Sequence, residues 1–257
     1  MAYQTAFLFG LPHSLSFYSF VFLGTVCSYN FHWTLSPELF QKPIPRKWHG
    51  KRINRKLHLI LAGLALLLAL YSFIALRQHW IWLSGAMVLA FLYSAPKIPW
   101  PAMQRLKKVV FDKTVFLALS WTYVTTILPL LINGAPITAA HLLFCINRFY
   151  FIFAICILFD LRDREADRQE GIKTMLTQFD LQSINRLYWG SLAVFFCTAL
   201  AQLFHFPIPY VVALLLPGLV LAARYRWFKE NTSDYVYYIL LDGLLIFSLP
   251  LLLLFRF

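Results

Sequence analysis

The sequence predicts an all-α fold, a polytopic transmembrane helix bundle of about eight spans. Two observations predict it. The 257 residues are 60% hydrophobic and 18% aromatic but only 13% charged, with a mean hydropathy of +0.65. That is the composition of a membrane protein rather than a soluble one. The apolar residues also come in runs near the ~20 residues that a spanning helix needs. No polar stretch between the runs is long enough to fold alone, so residues 1–257 are read as one domain.

The runs fall at residues 15–31, 57–76, 80–95, 110–132, 139–159, 187–204, 209–223 and 235–254. The third and seventh are short and are completed by tilt or by interfacial aromatics. The start of the chain has no basic stretch followed by a small-residue cleavage site, so no cleavable leader is expected. Cys27, Cys145, Cys156 and Cys197 lie within apolar runs and are expected to pack rather than to bond or to bind metal. Leu64, Leu68, Leu117, Phe153, Phe195 and Leu214 are expected core positions, some of them facing lipid in a bilayer.

Charge gives the orientation. Most of the 23 Lys and Arg lie in alternate connections: 42–56, 97–108, 162–186 and 224–229. Arg77 is the main exception. By the positive-inside rule these basic connections are cytoplasmic and both termini face outward. The net charge of +12 therefore reports orientation, and no nucleic-acid partner is expected. The setting is an integral, multi-pass protein of a bacterial inner membrane.

The chemistry-bearing feature is Asp160-Leu-Arg162-Asp163-Arg164-Glu-Ala-Asp167, at the cytoplasmic end of the fifth run. On a helix, positions i, i+3 and i+7 fall within about a 60° arc. Three carboxylates crowded there repel one another unless a cation sits among them. Mg²⁺ favours oxygen ligands and often bridges one or two carboxylates to substrate phosphates. The competing reading is a salt-bridged helix end in which Arg164 pairs with the carboxylates.

Asp160-x-x-Asp163-x-x-x-Asp167 with Arg168-Gln-Glu-Gly171-Ile-Lys173-Thr174 resembles the second aspartate-rich motif of UbiA-type intramembrane prenyltransferases. Leu92-Tyr93-Ser94-Ala-Pro96 with the basic run to Lys108, and Leu241-Asp242-Gly243, are similar to other parts of that family. The resemblance implies a UbiA-like bundle, usually of nine spans, around a central cavity with a cytoplasmic polar cap. It implies a polyprenyl diphosphate donor and an aromatic or lipid acceptor. Mg²⁺ held by Asp160, Asp163 and Asp167, with Glu38 from a first motif, would stabilise the leaving diphosphate. Asn30, Lys97, Lys107, Arg162 and Lys173 would contact that diphosphate, and Asp112-Lys113 would face it. Tyr29, Trp33, Trp121 and Tyr123 are candidates to stabilise an allylic cation, or else anchor the interface.

The first motif departs from the family. Where Asn-Asp-x-x-Asp-x-x-x-Asp is expected, the chain reads Asn30-Phe31-His32-Trp33-Thr34-Leu35-Ser36-Pro37-Glu38. Phe31 and Thr34 replace two carboxylates, and imidazole at His32 is a poor Mg²⁺ ligand. Three functions therefore compete. They are a prenyltransferase with an altered first site, a catalytically impaired relative that binds an isoprenoid or a protein partner, and, less favoured, a transporter. The transporter reading asks for ionisable residues at membrane depth, and the spans offer Lys113, Arg148 and Asp242.

Overall fold

The computed structural model describes residues 1–35, 55–95, 98, 100, 112–169 and 174–255. Their regular structure is all helical, with no strand among them. They form two compact units, Pro12–Phe111 and Met1–Leu11 with Asp112–Phe257. Glu38, Lys97, Lys107 and Lys173 lie outside the described residues.

Within the unit Pro12–Phe111, α2 (Leu15–Thr34) packs along α3 (Arg55–Ala75) and touches α4 (Trp80–Ser94). On α3 the buried stripe is Ala62, Ala65, Ala69 and Ser72, at helical spacing. Leu64 and Leu68 are 55% and 54% exposed, so the expectation that they form core is overturned. The reason is physical: lipid is as apolar as leucine, so helices in a membrane meet through small residues that let backbones approach.

The other unit begins with a helix the sequence reading did not expect, α1 (Ala2–Leu8). It stops at Gly10, whose φ of 61° suits glycine, with Leu11 N–H donating to Ala6 O at 2.8 Å and Gly10 N–H to Phe7 O at 3.4 Å. α5 (Lys113–Ile132) is capped by Asp112 and contains a π-helical segment, Tyr123–Ile127. Pro129 follows that segment and has no N–H to offer the carbonyl of Thr125. The hydroxyl of Thr5 on α1 donates to that carbonyl instead, at 2.6 Å. Gly134 (φ 62°) ends α5 with the same hydrogen-bond pattern as Gly10.

α6 (Ala139–Gln169) has 31 residues, about 46 Å at 1.5 Å per residue. A bilayer's hydrocarbon core is only about 30 Å thick, so α6 is longer than crossing it requires. Every residue from Phe151 to Leu158 is buried, which makes α6 the centre of this unit. Around it lie α7 (Met175–Gln178), α8 (Leu181–Ala201), α9 (Ile208–Ala223), α10 (Tyr225–Glu230) and α11 (Val236–Leu254). Phe153, Phe195 and Leu214 are buried and Leu117 is partly so, as expected.

Among the described residues, each of the eight predicted apolar runs is occupied by a helix. Five helices, Lys56–Ala75, Lys113–Ile132, Ala139–Glu165, Leu181–Phe204 and Val236–Leu254, are long and apolar enough to cross a membrane. α9 is a shorter apolar helix. All four cysteines are free.

Candidate functional site

The aspartate run continues α6 without a break, as the helical reading of its spacing requires. The three carboxylates nevertheless find different neighbours. Asp160 is 6% exposed. It accepts from the Thr114 hydroxyl, and Lys113 Nζ lies 3.8 Å from its Oδ1. It therefore faces the start of α5. Asp163 is outward, its side chain 42% exposed, and is held by Arg162 through Nε–H to Oδ1 at 2.8 Å and Nη2–H to Oδ2 at 3.3 Å. Asp167 is half-buried one turn further on. Among the described residues no three His, Cys, Asp or Glu side chains are gathered as a metal-holding group. The 60° arc is wide enough for each helix packed against α6 to recruit a different carboxylate.

Arg162 is itself enclosed. Its guanidinium reaches Asp234 at 3.4 Å and the Tyr238 hydroxyl at 3.4 Å, and stands 4.5 Å from the centre of the Tyr237 ring. It orders Asp163 against α11 as well as supplying charge. Arg164 does not pair with the carboxylates. Its Nε–H donates to Leu176 O at 2.7 Å and its Nη2–H to Phe179 O at 2.6 Å, while Arg168 donates to Thr177 O at 3.0 Å. Arg164 and Arg168, one turn apart, thus clamp the segment that returns from the motif toward α8. Asp112 fastens the same segment from α5. One carboxylate oxygen accepts from Thr114 N–H and Val115 N–H, and the other from Met175 N–H at 2.6 Å. Asp180 caps α8 through Ser183, and the Ser183 hydroxyl and N–H hold its carboxyl below the ordinary Asp range.

In the unit Pro12–Phe111, Asn30 donates through Nδ2 to Val26 O at 2.7 Å, which leaves Oδ1 to accept from His58 Nδ1–H at 2.6 Å. His58 was not singled out in the sequence, because nothing in its spacing marks it as a partner of Asn30. Thr34, standing where the family has an aspartate, is buried and donates its hydroxyl to Phe31 O at 2.7 Å. His32 stacks on Tyr93, ring centres 4.7 Å apart. Neither Phe31 nor Thr34 offers a metal ligand.

The model of the UbiA prenyltransferase family matches residues 41–247. The chain belongs to the UbiA prenyltransferase family. The match starts after the degenerate first motif and takes in the whole second motif. With its apolar helices, membership makes this an integral membrane protein of prenyltransferase type. No curated protein and no solved structure matches the chain.

Proposed function

We propose that the chain moves an isoprenoid group from a polyprenyl diphosphate to an aromatic or lipid acceptor, at the cytoplasmic face of a bacterial inner membrane. The observation that carries this reading is the continuation of α6, in a UbiA-family chain, from a buried apolar stretch into a run of aspartates. Mg²⁺ asks for one or two carboxylates, the rest of its octahedron coming from water and phosphate oxygens. Asp163 and Asp167, four residues apart, sit on neighbouring turns of one face. Asp163 is exposed, and its two oxygens keep lone pairs beyond those that Arg162 uses. This donor pair fits one Mg²⁺, which would supply positive charge to the leaving diphosphate.

The protein's own groups do the remaining work. Asp160, buried against Thr114, holds Lys113 at the same end of α5. Arg162 fixes the Asp163 carboxylate. Within the unit that carries the motif, Lys113 and Arg162 would offer donors to the diphosphate. The arginine clamp on the segment after the motif keeps the carboxylates' helix from fraying.

The buried, self-satisfied Thr34 favours a second reading, a catalytically impaired relative that still binds an isoprenoid or a protein partner. One experiment separates the two. Thermal stability of the detergent-purified protein is measured with geranylgeranyl diphosphate, with and without Mg²⁺, alongside Asp163→Asn. The proposal expects Mg²⁺-dependent stabilisation that the variant loses. Stabilisation retained by the variant refutes the metal role. No stabilisation under any condition refutes the donor site and leaves the second reading.

A further inference from the structure

Arg148 stands on α6 twelve residues before Asp160, about 18 Å along the axis and within the membrane-crossing segment Ala139–Glu165. It is 4% exposed. Its Nη2–H donates to Gln4 Oε1 at 2.9 Å, and its guanidinium carbon lies 4.8 Å from the centre of the Phe144 ring. No carboxylate pairs with it among the described residues. A guanidinium keeps its proton in proteins. A full positive charge is therefore buried at membrane depth against a neutral amide and a ring, an arrangement that is expensive unless something balances it.

Beside the guanidinium is a cavity of about 10 Å³, whose polar lining is Gln4, Asn147, Arg148 and Ser248. That is room for one water or one ion of similar size. The donors left uncommitted around it belong to Ser248 and Arg148. Gln4 Nε2–H is directed to Ser248 Oγ at 2.6 Å, so that oxygen accepts and the serine's own proton is left to donate elsewhere. Asn147 Nδ2 is already committed to Phe195 O at 2.9 Å and Thr198 Oγ1 at 3.3 Å. Of the five N–H groups on Arg148, the Gln4 contact uses one. A water molecule would meet these donors but leave the charge uncompensated. A single-atom anion meets the donors and balances the charge.

We infer that this cavity binds one monovalent anion of halide size, held by the Arg148 guanidinium and the Ser248 hydroxyl. The anion joins α1 to α6 and α11, because Gln4 bridges the same two side chains.

The test uses the full chain in detergent, with chloride titrated against gluconate at constant ionic strength. Gluconate is too large for the cavity. Chloride is expected to raise Tm by several degrees and to saturate, with bromide replacing it and giving one anomalous-scattering peak beside Arg148. Ser248→Ala should weaken the apparent chloride affinity about tenfold, and Arg148→Gln should abolish the dependence. If Arg148→Gln fails to fold, the wild-type titration and Ser248→Ala still decide. Equal Tm in chloride and gluconate, or a bromide peak absent from the cavity, overturns the inference in favour of a water.

Discussion

Replacing Thr5 by valine tests whether α1 completes α5. Valine keeps the shape of threonine and removes only the hydroxyl. In the wild type that hydroxyl donates to Thr125 O at 2.6 Å, and both residues are buried. Pro129 denies the carbonyl its ordinary helical partner. In Thr5→Val the carbonyl is therefore left unpaired. Orphaning a buried acceptor costs about 1–3 kcal/mol, while hydrogen bonds between membrane helices average about 0.6 and reach about 1.7. The two ranges overlap at about 1–1.7 kcal/mol. For a chain of this size that corresponds to a Tm lower by about 3–6 °C, read by thermal denaturation in detergent. Thr5→Ser keeps the donor and loses one methyl, about 0.8 kcal/mol, so it should fall less. Pro129→Ala returns an N–H to the ladder, so Thr5→Val should cost markedly less in that background. Equal losses from Thr5→Val in both backgrounds would refute the reasoning.

Two more substitutions probe the scaffold. Asp112→Ala removes the cap of α5, worth about 1 kcal/mol, and also frees Met175 N–H. Asp112→Asn keeps the cap but loses one acceptor, so Tm should fall in the order wild type, Asn, Ala, and equal values for Asn and Ala would contradict the double role. At Gly218, an added Cβ would press on Cε1 of Phe195 and lie 2.8 Å from its Cδ1. Gly218→Ala should therefore destabilise by about 1–3 kcal/mol despite alanine's better helix propensity. Phe195→Leu in the same chain should recover part of the loss, and a stabilised single variant would show that the ring moves freely.

The apolar helices were legible because run length and the loop charges report membrane crossing directly. Asp160–Asp167 was legible as a helix end because its spacing matches the helical period. The division of its carboxylates was not, since it depends on which neighbours α5 and α11 bring, and Thr114 and Asp234 are far away in sequence. Leu64 and Leu68 misled for a related reason. Hydropathy ranks leucine above alanine, yet it is the alanines of α3 that pack. The arginines show the same limit, because Arg164 and Arg168 spend their donors on backbone carbonyls that no residue type announces. Helix α1 escaped because seven residues are too few to read as a span, and its meaning lies in distant partners.

Those partners set an order of assembly. Gln4 waits for Ser248, 244 positions later, and Thr5 for Thr125, 120 positions later. At about 5–20 residues per second of synthesis, the first of these delays is about 12–50 s. Throughout it the leading helix holds two polar side chains whose receptors have not been made. The Gln4 side chain can dock only once α11 is in place.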